Sequence, residues 1–148
     1  MRRLTKMMLL VATVFMVNFA SAQEDKMISF TQLPAKAQEF VKSHFANIEV
    51  TSVWKDTEFL RVEDYTVVLD NGTEIEFYSN GEWKEIKSRG NEIPTKVIPT
   101  GIAQYLQKKY NNMPIKEIKK KRTGYEVELS NGLDLEFNSK GKFLRIDD

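Results

Sequence analysis

The chain has 148 residues, with 22 Lys+Arg, 21 Asp+Glu, a single His and no Cys. The lack of cysteine excludes disulfides, thiol nucleophiles, cysteine metal sites and a lipid-modified N-terminal cysteine. Three of the basic residues and none of the acidic ones fall in residues 1–22, leaving 19 basic against 21 acidic beyond them, a balance that does not suit a nucleic-acid partner.

Arg2, Arg3 and Lys6 precede an apolar run from Met7 to Phe19, and Ala20-Ser21-Ala22 follows it. The run is too short to span a bilayer comfortably, and the small residues sit where a signal peptidase reads. Residues 1–22 are therefore expected to be a signal peptide cleaved before Gln23. That predicts an exported protein, periplasmic or secreted, with no stable membrane insertion after cleavage.

Leu33-Pro34 opens a helix whose apolar stripe is Ala37, Phe40, Val41 and Phe45. His44, whose counterpart in the second unit is Lys109 on the polar side of the helix, is expected at the surface. A strand is expected around Glu49–Lys55. Tyr65-Thr66-Val67-Val68-Leu69 then alternates with period two into Asn71-Gly72, and Ile75-Glu76-Phe77 leads out of it. Ser79-Asn80-Gly81 turns the chain into a last short strand carrying Trp83 and Ile86. Residues Ser88–Thr95 read as a linker.

The same order recurs after the linker. Ile98-Pro99 opens a helix with Ile102, Tyr105, Leu106 and Tyr110, and Ile115–Lys121 reads as a strand. Tyr125, Val127, Leu129, Asn131-Gly132, Leu135, Glu136, Phe137, Ser139, Gly141 and Ile146 then repeat the first series at an offset of 60. Two units are expected, at residues 28–87 and 93–147, together forming one compact domain. Units of about sixty residues are marginal alone, so a shared core is implied.

The hairpin register follows from the alternation. A two-residue Asn131-Gly132 loop would set Leu129 against Asp134. A three-residue loop, Ser130-Asn131-Gly132 with the glycine left-handed, instead pairs Val127 with Leu135 and Tyr125 with Phe137, giving one apolar face. The fold class expected is α+β: two tandem repeats, each one helix plus up to four antiparallel strands, with the helices packed on one face of the sheet. Whether the strands form one sheet or two is left open. The other face is expected to carry Thr66, Val68, Glu74, Glu76 and Tyr78 from the first unit and Glu126, Glu128, Asp134, Glu136 and Asn138 from the second.

The series Leu-Pro, amphipathic helix, Tyr-x-Val-x-Leu, Asn-Gly-x-x-[Ile/Leu]-Glu-Phe, Ser-x-Gly resembles the PepSY-like family of bacterial periplasmic proteins, across nearly all of the chain beyond residue 22. The resemblance implies a fold similar to that of the β-lactamase inhibitory protein, whose sheet surface grips an enzyme. It further implies a periplasmic address and no known catalytic residues. It does not imply β-lactamase as a target, because the family shares architecture and contact residues belong to individual partners.

No catalytic set is assembled by the residue types present. One histidine and no cysteine cannot make a zinc site or a Cys/His nucleophile. The expected function is a non-enzymatic periplasmic module that docks a protein or peptide on the open sheet face. Trp54 and Tyr78 are the aromatic anchors, since the second unit has Lys119 and Asn138 in their places, and Glu74, Glu76, Glu126, Glu128 and Glu136 supply the polar contacts. The alternative is a calcium-responsive or carboxylate-based site, with Asp70, Asn71 and Glu74 as oxygen ligands in one turn. No other cofactor is expected. The lysine-rich run Lys116, Lys119, Lys120, Lys121, Arg122 reads as a protected edge strand.

Overall fold

The computed structural model describes residues 24–147; the expected signal peptide lies outside them. Two helices and nine strands are present in the order β1 (Glu24–Ile28), α1 (Ala35–His44), β2 (Val50–Glu58), β3 (Arg61–Leu69), β4 (Glu74–Tyr78) and β5 (Trp83–Lys87), then α2 (Thr100–Tyr110), β6 (Ile115–Lys121), β7 (Gly124–Leu129), β8 (Asp134–Asn138) and β9 (Phe143–Asp147). Short 3-10 turns at Phe30–Gln32 and Thr95–Val97 lead toward the helices. The strands form one antiparallel sheet with spatial order equal to chain order. No helix among the described residues is long and apolar enough to cross a membrane.

Pro34 and Pro99 occupy the N-cap positions, with ψ of 140° and 136°, so their missing N–H groups cost no helical hydrogen bond. Ala37 and Val41 of α1, and Ile102 and Leu106 of α2, are buried. Phe40 meets Phe77 edge-on at 5.7 Å, and Tyr105 meets Phe137 in the same way at 5.5 Å. Gly81 makes the close approach at α1 possible, because a Cβ there would lie 2.9 Å from Pro34 Cβ.

The registers are those the alternation requires. Tyr65 pairs with Phe77 and Val67 with Ile75, while Tyr125 pairs with Phe137 and Val127 with Leu135. Leu129 donates its N–H to the Leu133 carbonyl at 2.9 Å, and Gly132 has φ +83°, as the three-residue loop demands. Following the pairings strand by strand, a single aliphatic row crosses the sheet: Ile28, Val53, Val67, Ile75, Ile86, Ile118, Val127, Leu135, Ile146. From Val53 to Leu135 these side chains are at most 2% exposed, and they form the spine of one core.

Four expectations are corrected. First, β1 was not foreseen, because Glu-Asp-Lys-Met-Ile has no period-two pattern; it pairs with the longer β2 at one edge. Second, the lysine-rich run is not on an edge. Strand β6 lies inside the sheet between β5 and β7, where Ile118 is buried and the lysines reach glutamates on neighbouring strands. Third, His44 is half-buried against Phe40, with ring centroids 4.7 Å apart, and its Nδ1 is buried with no hydrogen-bond partner. Fourth, the segment after Lys87 is more than a linker. Ile93 and Val97 enter the core, and Ser88 and Asn91 hold its turn, with Asn91 Nδ2 donating to the Asn71 carbonyl at 2.6 Å.

Candidate functional site

The face opposite the aliphatic row is built by the same pairings. One row runs Met27, Trp54, Thr66, Glu76, Glu85 and on through Lys119, Glu126, Glu136 and Arg145. The adjacent row runs Ser52, Val68, Glu74, Lys87 and on through Glu117, Glu128, Asp134 and Asp147. All seven residues expected to bind a partner therefore share this face, since Tyr78 follows Glu76 by two positions on β4. Acidic groups sit directly opposite one another at Glu76/Glu85, Glu126/Glu136 and Glu128/Asp134, an arrangement that repels unless cations intervene.

Cations do intervene, and none of the five predicted glutamates is a bare carboxylate. Arg89 pairs with Glu74 at 2.8 Å, Lys84 with Glu76 at 3.3 Å and Arg145 with Glu136 at 2.9 Å, while Lys121 and Lys116 pair with Glu126 and Glu128. At the sheet centre, Glu117, nearly buried, takes Lys87 at 2.9 Å and Lys119 at 2.5 Å. Burial pushes the Glu117 carboxyl up, but hydrogen bonds from Lys119 and Lys87 and their charges outweigh it and hold the group below the usual carboxylate value. Its neighbour Glu85 is raised, first by burial and then by the charges of Glu117 and Glu76.

Tyr78 is half-buried and tied across the face. Its hydroxyl donates to the Lys120 carbonyl at 3.2 Å, and the Lys84 ammonium lies 5.9 Å from its ring. Trp54 is different, being 37% exposed with its indole N–H donated to Ser52 Oγ at 3.1 Å. Directly across the strand pair stands Met27, 59% exposed. Beside this pair Asp25, Asp56, Asp64, Thr66 and Glu76 line a shallow concavity of about 280 Å³ with Trp54. Sequence reasoning missed Met27 and the three aspartates, because they are brought together by β1 and by the longer β2–β3 hairpin. A signal is present in the spacing: Trp54 and its counterpart Lys119 are 65 residues apart, whereas Tyr65 and Tyr125 are 60 apart, so the first unit has five extra residues between Trp54 and Tyr65.

In the turn proposed for calcium, Asp70 is exposed while its two partners are engaged. Asn71 Oδ1 accepts from the Thr73 N–H at 3.0 Å, and Glu74 is held by Arg89. A different acidic group forms at the far end of the face, where one carboxylate oxygen each from Glu126, Glu136 and Asp147 lie within 4.8 Å of one another. Asp134 stands next to it, its carboxyl pushed up first by burial and then by the charges of Glu128, Glu126, Asp147 and Glu117. Lys121 and Arg145 already engage two members of that group.

The model of the family described as "Putative beta-lactamase-inhibitor-like, PepSY-like" matches residues 63–145. Among solved structures, the chain is 34% identical to a "putative calcium-regulated periplasmic protein" from Bacteroides thetaiotaomicron, covering 84% of this chain and 97% of that one with a TM-score of 0.78. It is 33% identical to a "putative periplasmic protein of unknown function" from Bacteroides vulgatus, over 84% and 100% of the two chains, also at 0.78. A second "putative periplasmic protein" from Bacteroides vulgatus is 32% identical over 84% and 98%, with a TM-score of 0.77. No functionally curated protein matches.

Proposed function

The chain belongs to the PepSY-like family, and from that premise we propose that it is a non-enzymatic, exported binding module that docks a protein or peptide on its open sheet face. Residues 1–22 serve as the signal peptide, and residues 28–87 and 93–147 are two copies of one helix-and-sheet unit whose helices cover the same side. The equal registers of β3–β4 and β7–β8 support that organisation, and the three periplasmic neighbours support the address.

The observation that carries the binding reading is the pair Met27 and Trp54. They are exposed side by side on a face whose glutamates at positions 74, 76, 126, 128 and 136 are each paired with a lysine or arginine. A paired charge is well solvated and contributes little to affinity, whereas a large apolar or indole side chain removed from water supplies most of it. The aspartates around the pair favour a partner that presents Lys or Arg beside an apolar residue, with Tyr78 and the glutamates at positions 74, 76, 126, 128 and 136 forming the polar surround.

The test is retention of a partner from periplasmic extract, followed by its affinity for Trp54→Ala and Met27→Ala. Loss of a central anchor costs about 2 kcal/mol, roughly thirtyfold in Kd. Unchanged affinity in both variants, with unchanged melting temperature, removes this end of the face as the contact.

A second reading is favoured by the acidic group at Glu126, Glu136 and Asp147 together with the calcium regulation ascribed to the 34% identical neighbour. In it, calcium binds carboxylates of this sheet and biases partner docking. Millimolar calcium then raises the melting temperature by mass action. Loss of that rise in Glu136→Gln assigns the ion to the three-carboxylate group, loss in Asp70→Asn assigns it to the turn after β3, and no rise in the parent protein refutes the reading.

A further inference from the structure

The aliphatic row that forms the core spine ends abruptly. Ile146 on β9 is 44% exposed, although it pairs inward with Leu135 just as fully buried Ile86 pairs with Ile75. The difference lies on the outer side. Ile86 is covered by Ile118 of β6, while β9 has no strand beyond it among the described residues.

The way β5 is covered specifies what β9 can accept. The tripeptide Glu85-Ile86-Lys87 pairs antiparallel with Glu117-Ile118-Lys119, the same three residues again. Isoleucine therefore faces isoleucine, and each glutamate faces a lysine. Lys87 reaches Glu117 at 2.9 Å and Lys119 lies 3.9 Å from Glu85. An acid, an isoleucine and a base in that order are self-complementary when antiparallel, because reversing the strand brings unlike charges opposite one another. Strand β9 reads Arg145-Ile146-Asp147, the same pattern with the signs exchanged.

We propose that β9 pairs antiparallel with β9 of a second copy about a two-fold axis through Ile146, joining two nine-stranded sheets into one. Ile146 then meets Ile146 of the other copy, each Arg145 meets the other copy's Asp147, and the aliphatic row runs unbroken through both molecules. The two-fold stands perpendicular to the sheet, so the open faces of both copies lie on the same side. The opposite edge lacks the same self-complementary centre. Centring β1 on Lys26 would oppose lysine with lysine and Asp25 with Met27. The association is therefore isologous and closes at two copies instead of growing into a fibre. One strand pair is a small contact, so the dimer is concentration-dependent.

Sedimentation velocity on the purified exported form, residues 23–148, across a concentration series tests this, with the melting temperature checked for each variant. The parent protein is expected to show a monomer–dimer equilibrium. Arg145→Asp, which opposes two aspartates, weakens it at least tenfold, as does Asp147→Arg, and the double variant Arg145→Asp/Asp147→Arg restores it. Arg145→Asp also removes the ion pair with Glu136, but the double variant lacks that pair too, so recovery reads only the contact between copies. Because the chain has no cysteine, Ile146→Cys supplies a single thiol that oxidises to a covalent dimer, and Lys26→Cys does not. A parent protein monomeric at every concentration, a double variant no better than the singles, or equal cross-linking through Lys26→Cys would overturn the proposal.

Discussion

Replacing Ile118 by alanine tests whether the nine strands act as one cooperative unit. Ile118 has 0% exposure and stands between Ile86 on β5 and Val127 on β7, at the point where the two halves of the chain meet. Truncating a buried aliphatic side chain costs about 2–5 kcal/mol, and a fully enclosed position on an inner strand, with little room to collapse, belongs near 3 kcal/mol or above. Against a total stability of about 5–15 kcal/mol, that lowers the melting temperature by roughly 10 °C. The assay uses the placement of the two tryptophans, both of which precede residue 88. Trp83 lies 6.3 Å from Tyr125 across the junction and would sense either half, so the comparison is made with Trp83→Phe, the residue type found at 143. Trp54 then reports the first half alone, while far-UV circular dichroism reports both. If burial across β5–β6 joins the halves, Trp54 fluorescence and circular dichroism shift together by the full amount. A Trp54 midpoint unmoved by Ile118→Ala, with circular dichroism split into two steps, would refute the shared-core reasoning.

Glu85, half-buried, and Glu117, buried, at the centre of the open face have opposite pH signatures. Glu85 has a carboxyl raised above its unfolded value by burial and by Glu117 and Glu76, so stability is lost as pH rises through the carboxylate range; Glu85→Gln raises the melting temperature at pH 7, and the gain vanishes below about pH 4. Glu117 is held low by Lys119 and Lys87, so its stabilisation is present above the ordinary carboxylate value and is lost as pH falls through the lowered one; Glu117→Gln lowers the melting temperature at pH 7, with the difference shrinking as pH falls below the ordinary carboxylate range. Both are read from thermal melts across pH, and parallel curves for parent and variant would contradict the assignments. Gly81→Ala, at φ +82° with a Cβ 2.9 Å from Pro34, must displace α1 or the turn, whereas Gly132→Ala, at φ +83° with open space around it, meets only left-handed strain. Denaturant unfolding should show the first costing about 1–3 kcal/mol and the second about 1 kcal/mol.

Much of the architecture was legible because local chemistry and burial point the same way. Tyr125, Val127, Leu135 and Phe137 alternate strictly, so only one hairpin register keeps them on one face, and Gly132 supplies the left-handed residue that register needs. The prolines before each helix and the three-to-four spacing of Ala37, Phe40, Val41 and Phe45 placed α1 and α2 for the same reason. Strand β1 escaped notice because edge residues exposed on both sides carry no hydrophobic period. The lysines of β6 were misplaced because charge alone does not distinguish an edge from an interior strand. What decides is whether acidic neighbours are available across the ladder, and Glu85, Glu126 and Glu128 provide them.

The candidate site divides along the same line. The sequence by itself determined which residues share the open face, because side-chain parity along a strand follows from backbone geometry alone. Only the tertiary structure decided what those residues are free to do. Strand order set each glutamate within reach of a particular lysine or arginine, drew the Tyr78 hydroxyl to the Lys120 carbonyl, and left Met27 and Trp54 exposed together. It likewise buried Ile86 and exposed Ile146, two residues at equivalent places in the pattern, because one has a strand beyond it and the other does not.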